Sequence, residues 1–290
     1  MRSGYRRRKR AKGIMIWLCI VIILLIFLKK EAETPLADNP ADIAEANTDD
    51  TASVNAIANH TPDAKILKAL NSMVKQDKRI KSVIKNYDDY PEELLDMLSR
   101  NIEMLDFVLD YPEKKGNVYA DTIGTTDNDS VPLLLQWDER WGYGNYGNSM
   151  IAVSGCGPTS LAMVIAGLTG DNSVTPYTVA EFAEENEYYV AGSGTSWDLF
   201  SEGSRHFGIR GKELSLSEAS VKKVLQSGHP IICSMRPGDF TTTGHIIVLA
   251  GMKDGQIIIC DPNSKARSNE LWDYQTLEPQ IRNLWSFDLL

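Results

Sequence analysis

The 290-residue sequence predicts an α+β protein, and three observations carry that expectation. Apolar residues recur at three- to four-residue steps through much of the stretch from residue 63 to 226, the period of amphipathic helices. From Pro230 onwards the pattern changes to short, branched, apolar runs separated by Gly, Pro, Asn and Asp, which is strand patterning. Helices first and a run of strands afterwards is an α+β order of elements.

The chain opens with Arg2, Arg6, Arg7, Arg8, Lys9, Arg10 and Lys12, followed by an uninterrupted apolar run from Ile14 to Leu28 that Lys29 and Lys30 end. A basic block abutting such a run is a membrane-targeting segment. At ~1.5 Å per residue it falls short of the ~30 Å hydrocarbon core, and snorkelling lysines with local thinning can supply part of the difference. A signal peptide has the same charge and length, but the charged sequel Lys-Lys-Glu-Ala-Glu favours an uncleaved anchor. The basic flank keeps the N-terminus cytoplasmic, so the domains beyond residue 30 are expected outside the cell. The formal net charge of -9 conceals a split, with nine Lys/Arg and no acid in residues 1–30 and -18 on the rest. The acidic bulk argues against nucleic acid as a partner.

Residues 31–62 are Ala, Asp, Asn, Thr, Glu and Pro with few large apolar residues, an acidic tether that cannot bury enough surface to order itself. In residues 63–115, Ile66, Leu67, Leu70, Met73 and Val74, then Ile80, Val83 and Ile84, step helically. Pro91 opens a further helix carrying Leu94, Leu95, Leu98, Ile102, Leu105 and Val108, which Tyr111-Pro112 ends. Helices of this size bury little alone and are expected to dock on the C-terminal domain. They are either a spacer or a cover over the cleft. Residues 116–130 are a polar linker, and residues 131–290 form the main domain.

In that domain Ser154-Gly155-Cys156-Gly157-Pro158-Thr159-Ser160 precedes Leu161, Val164, Ile165 and Leu168, which places a thiol on the first turn of a buried helix closed by Gly167 and Gly170. Proline is tolerated there because the N–H it lacks has no intrahelical partner. The unpaired N–H groups and the positive end of the helix favour a thiolate. The flanking glycines suggest a substrate backbone approaching the sulfur. Residues 178–189 and 197–207 are expected to be helical, and 215–226 to be a helix opened by Ser-Leu-Ser-Glu. Strands are expected over 230–235, 245–251, 256–260 and 284–289. Beyond Cys156 and the membrane-segment Cys19, Cys233 and Cys260 fit free thiols, although a bridge between them is open outside the cell.

A thiol nucleophile needs a base and a group to orient that base. Of the four histidines, His60 lies in the tether, His206 at a helix end and His229 in a turn, whereas His245 opens an apolar strand after the 238–243 loop. Lys253-Asp254-Gly255 is a hairpin turn, so the strand from His245 returns through Cys260 to bring Asp261 back to the histidine. A two-residue loop would put His245 opposite Ser264 with Asp261 on the other face. A three-residue turn or an equivalent bulge puts His245 opposite Asn263 and both Asp261 and Asn263 on its face. That second register is the one expected, with Asp261 first and Asn263 second as acceptor from the imidazole Nδ1–H.

Gly155-Cys156-Gly157-Pro158-Thr159-Ser160, the later Gly244-His245-Ile-Ile-Val-Leu-Ala-Gly251 and Cys260-Asp261-Pro262 together resemble the papain-like cysteine peptidases related to the bacteriocin-processing, double-glycine-leader family, in the stand-alone branch without a transporter. The Gln136-Trp137-Asp138-Glu139-Arg140-Trp141 opening is similar to that branch too. The resemblance implies a papain-like fold, with Cys156 as nucleophile, His245 as general base and acid, and Asp261 as orienter. Transporter-linked members carry a glutamine six residues before the cysteine as an oxyanion donor. Met150 stands there, so Gln136 is the candidate replacement beside the Cys156 N–H. Trp197 and Thr241 to Thr243 are candidates to line the cleft. Peptide or protein is the implied substrate, and no metal or organic cofactor is implied. The rival readings are a cell-wall amidase or transpeptidase using the same pair, and a non-catalytic peptide-binding module.

Overall fold

The computed structural model describes residues 62–126 and 130–290. The apolar run at 14–28, nearly all of the tether, and His60 lie outside the described residues. Among the described residues no helix is long and apolar enough to cross a membrane.

The first helices follow the apolar spacing. Asp63 caps α1 (Ala64–Met73), its carboxylate accepting from the Lys65 and Ile66 N–H groups at 2.6 and 3.0 Å. After α2 (Ile80–Lys85) comes α3 (Glu92–Arg100), which stops where Asn101 turns extended and its side chain accepts from Glu103 N–H. The single helix expected after Pro91 is therefore two, with a 3-10 turn at Ile102–Met104 before α4 (Leu105–Lys114). Pro112 does not end α4. It falls in the last turn, where its missing N–H removes only one ladder bond. Leu94, Leu95, Leu98, Phe107 and Val108 share one buried cluster with Leu135, Trp137, Tyr143 and Met150, so the helices and the main domain have a common core.

In the main domain β1 (Asn145–Tyr146) and β2 (Ser149–Met150) make a tight hairpin that feeds α5 (Ile151–Ser154), Gly155 and α6 (Cys156–Thr169). Gly170, at φ 70°, closes α6 with its N–H on Ala166 O. Next, α7 (Pro176–Glu185) is capped by Thr175 and ends four residues short of expectation, because the chain reverses at Glu187, φ 62°. Tyr189 then lies in a short ladder of β3 (Tyr189–Val190) with β4 (Gly194–Thr195). The helix expected over 197–207 is one turn, α8 (Asp198–Ser201), and a 3-10 segment. β5 (Ile209–Glu213) follows, then α9 (Glu218–Gln226), whose cap is Ser217 rather than Ser215.

The remaining strands are β6 (Ile231–Met235), β7 (His245–Lys253), β8 (Gln256–Cys260), β9 (Leu271–Trp272) and β10 (Ile281–Leu289), with α10 (Lys265–Ser268) and α11 (Tyr274–Leu277) between β8 and β10. With β5 they form one antiparallel sheet ordered β5-β10-β6-β7-β8-β9. β5 was not legible because Ile-Arg-Gly-Lys-Glu is an edge strand held only by β10. Gly211 is required there, since a Cβ would lie 2.0 Å from Phe200 O.

Both faces of the sheet are covered, which explains the continuous apolar runs. Leu161 and Val164 of α6 pack with Ile232, Val248 and Cys260 on one side. Val221, Leu225 and Leu277 pack with Cys233, Ile247 and Leu249 on the other. Cys233 pairs with Ile247 and Cys260 with Val248, so the two thiols face opposite sides of the sheet and are free.

The β7–β8 hairpin turns on two residues, Asp254 (φ 53°) and Gly255 (φ 84°), with Lys253 opposite Gln256. That turn alone would put Asp261 on the wrong face. A bulge at Ala250 corrects it: Gly251 pairs with Ile258, Leu249 with Ile259 and Val248 with Cys260. Continued past the ladder, the count sets Asn263 opposite His245 and Asp261 on the histidine's face.

The glycines beside Cys156 have a packing role that the sequence reading missed. A Cβ on Gly155 would meet Ile151 O at 2.5 Å, and one on Gly157 would meet Thr195 Oγ1 at 2.7 Å. Gly157→Ala is accordingly expected to destabilise the fold by about 1–3 kcal/mol through overpacking. Urea denaturation of this variant beside Gly157→Ala/Thr195→Gly, which removes all three obstructing Thr195 atoms, checks it.

Candidate active site

Cys156 begins α6, half-buried, and His245 begins β7, 9% exposed. The helix lies on the sheet so that its N-terminus reaches the end of β7. The imidazole and the Cys156 thiol line the same cavities and lie close enough for the sulfur to act on the ring's charge. The ring Nε2 lies 2.7 Å from Asp261 Oδ1, leaving Nδ1 for the sulfur. The carboxylate therefore meets Nε2, the opposite ring nitrogen from the one expected.

Asp261 is fully buried, which is tolerable only because every side of its carboxylate is matched. Oδ1 accepts from Asn263 N–H at 2.8 Å as well as facing His245, and Oδ2 accepts from Arg267 Nε at 2.6 Å. Burial works against its charge, but His245 and Arg267 outweigh it and hold the carboxyl below its usual range. Burial likewise opposes a charged His245. The Asp261 carboxylate and the Cys156 sulfur overcome that and raise the imidazole to about 10. Sulfur, imidazole, carboxylate and guanidinium thus form a row in which groups able to carry opposite charge alternate.

Arg267 was not singled out from the sequence. It follows Asp261 by six residues on the one-turn helix α10, and nothing local distinguishes it from a solvated arginine. Arg267→Met is expected to lower stability by about 2–3 kcal/mol, less than the ~3–5 of a fully buried pair because the guanidinium retains some solvent. Equilibrium unfolding near neutral pH measures this, and Arg267→Lys should recover part of the loss. Asn263, second choice as orienter, contributes its backbone N–H to Asp261 rather than its side chain to His245.

Gln136 is 2% exposed and lies beside the pair. Its Nε2 donates to Ala152 O at 2.7 Å and, weakly, to Val153 O at 3.4 Å. In an unbroken helix Ala152 O would accept from Cys156 N–H. Gln136 occupies that carbonyl at the break between α5 and α6, where Cys156 opens the second helix and its N–H falls among the first-turn donors. Met150, at the position where transporter-linked relatives carry glutamine, is buried among the helices of residues 63–115.

Cys156 and His245 stand where two cavities meet. The larger, about 790 Å³, extends past Tyr189, Trp197, Ser234, Arg236 and Arg282. A second of about 330 Å³ extends past Gln136, Phe240 and Thr241 to Thr243 on one side and Met97, Arg100 and Asn101 on the other. Trp197 and the threonine loop thus line the cleft. Together the two make a groove passing the sulfur on both sides, the shape an extended chain requires. Among the described residues no group of three or more His, Cys, Asp or Glu side chains could hold a metal ion. Burial raises the other described thiols, Cys233 and Cys260, and the neighbouring Asp261 charge adds to the rise of Cys260 to about 12.

Residues 128–286 match the model of the Peptidase_C39 like family. Two solved structures are similar. One is the peptidase domain of Streptococcus ComA, a bifunctional ABC transporter involved in a quorum-sensing pathway. It is 20% identical, with TM-score 0.37, over 47% of this chain and 93% of that one. The other, a C39-like peptidase from Bacillus anthracis, is 18% identical, with TM-score 0.35, over 54% and 94%. No curated protein matches the chain. The family match, not these weak superpositions, carries the assignment.

Proposed function

From the premise that this chain belongs to the Peptidase_C39 like family, we propose that it is a cysteine peptidase that hydrolyses peptide bonds through Cys156, His245 and Asp261. The observation that supports the reading is the buried His245–Asp261 pair, at 2.7 Å, set beside Cys156 in the lining of the same open cavities. With His245 protonated, its charge favours the Cys156 thiolate, which attacks the substrate carbonyl carbon. The carbonyl oxygen gains the negative charge and takes up the Cys156 N–H. Gln136 Nε2 can add a second donor by releasing its weak bond to Val153 O. His245 then gives its proton to the leaving amine as the C–N bond breaks, leaving a thioester. Water, deprotonated by the now neutral His245, attacks the thioester and expels the thiolate with the imidazolium restored. Asp261 stays ionised throughout and keeps the ring oriented.

The proposal includes placement. Residues 14–28 anchor the chain in the cytoplasmic membrane with the basic flank inside and the peptidase domain outside. Protease treatment of intact cells should remove the domain, and its survival under conditions that digest other outer-face proteins would reverse the orientation.

The function is tested by a proteomic cleavage screen of wild type beside Cys156→Ala and His245→Ala, with a muropeptide digest run in parallel. New peptide termini present only with wild type support peptide-bond hydrolysis. Muropeptide products without new termini would replace it with a cell-wall amidase.

A further inference from the structure

The family match begins at residue 128, yet one arm of the cleft is walled by Met97, Arg100 and Asn101, which lie outside it. Contacts from the same short stretch run directly to the elements that hold the candidate carboxylate. The one-turn helix α10 carries both side chains that grip Asp261 from behind: Arg267 Nε bonds Oδ2 at 2.6 Å, and Ser268 Oγ accepts from the Asp261 N–H at 2.9 Å. Four helical residues cannot hold themselves in place, since so short a helix is mostly unpaired ends. Ser264 caps one N–H, that of Arg267, at 3.2 Å. The Ser268 N–H reaches Ser264 O at 3.3 Å, and Glu103 takes the remaining two. Its Oε2 accepts from Lys265 N–H at 2.8 Å, and its Oε1 accepts from Ala266 N–H at 3.1 Å and from Ser264 Oγ at 3.3 Å.

Asn101 reinforces this, its Nδ2 donating at 2.5 Å to Asn263 O, a carbonyl that also accepts from Trp137 Nε1 at 3.2 Å. On the other side of the arm, Arg100 Nη1 donates to Thr242 Oγ1 at 2.9 Å, in the loop that leads into His245. The bonds from Glu103 reach backbone N–H groups of α10, which fixes where the helix sits.

We propose that Glu103, assisted by Asn101, is a positioning residue for the Asp261 carboxylate, making the helical segment 63–115 a working part of the active centre. The inference rests on the peptidase reading above. Glu103 acts at a distance: it seats α10, α10 presents Arg267 and Ser268, and these aim Asp261 at His245. The charged or titratable groups facing His245 are Cys156 and Asp261, with Arg267 behind the latter.

The test uses the full chain with Glu103→Ala, Glu103→Gln and, as a blank, Cys156→Ala. Activity is read on a cleaved peptide, the His245 titration by NMR, and folding by thermal melting. Glu103→Ala is expected to lower kcat about tenfold with KM within about twofold, because misaligned catalytic groups lose rate rather than affinity. Its His245 midpoint should fall by about one pH unit as Asp261 drifts from the ring. Glu103→Gln keeps an acceptor oxygen and should lie between the two. An unmoved midpoint in both Glu103 variants, with activity following only the folded fraction, would overturn the proposal. Should Cys156→Ala turn over peptide like wild type, the peptidase reading fails, while the titration still decides the role of Glu103 because it needs no turnover.

Discussion

Cys156→Ala is expected to lower kcat/KM for peptide cleavage by about four orders of magnitude or more, because no other group can form the acyl intermediate. Fold and stability should be nearly unchanged, since the side chain is small and half-buried at a helix start. That separation makes the variant decisive: a folded protein retaining more than a few per cent of wild-type turnover would remove Cys156 from the chemistry. A matching selectivity is expected in alkylation. Iodoacetamide near neutral pH should modify Cys156 well before Cys233 or Cys260, which are buried and raised. Peptide mapping of a brief reaction reads the order directly.

Asp261→Ala combines a large loss of stability with a large loss of rate. The carboxylate lies between His245 and Arg267, so removing it strands two groups able to carry positive charge against each other in a site arranged for an anion. Breaking such a buried pair costs about 3–5 kcal/mol. The imidazole loses its orienting acceptor at the same time, and kcat should fall about a hundredfold or more.

The pH dependence follows from the two directions. His245 is raised from 6.5 to about 10 in the folded chain. Its stabilising contribution is fully present below pH 6.5 and disappears as pH rises through about 10. Asp261 is lowered from 3.8, so its contribution is present above that pH and is lost as pH falls through its depressed value. Wild type should therefore be most stable between these limits, with kcat falling on the alkaline side as His245 loses the proton it gives to the leaving amine. In Asp261→Ala both slopes should flatten. Urea midpoints from pH 3 to 10.5 for the two proteins check this, and parallel curves would contradict it.

Much of the fold was legible because it depends on local pattern. The apolar steps of α1, α3 and α6 and the apolar runs of β6, β7 and β8 can be read without knowing what they pack against. Pieces defined by partners were not legible. β5 has one large apolar residue and exists because β10 offers it an edge, and residues 186–195 leave helix for a small ladder where Glu187 reverses the chain.

At the site, the helix start at Cys156 and the strand start at His245 were readable from residue types and order. Their meeting was not, because it depends on how a helix sits across a sheet. The glycines flanking Cys156 illustrate the same limit: their pattern suggested room for a substrate, while Ile151 and Thr195 fill the space a Cβ would need.

By itself, the sequence determined the α+β order of elements, the free thiol at the head of a buried helix and the distance in residues from His245 to Asp261. Only the tertiary structure decided that a bulge at Ala250, rather than a three-residue turn, sets the expected register, that Nε2 meets the carboxylate, and that Arg267 and Glu103 stand behind it. The reason is physical: periodicity and capping are written within a few residues, whereas a buried carboxylate is held by groups that only packing brings within hydrogen-bond distance.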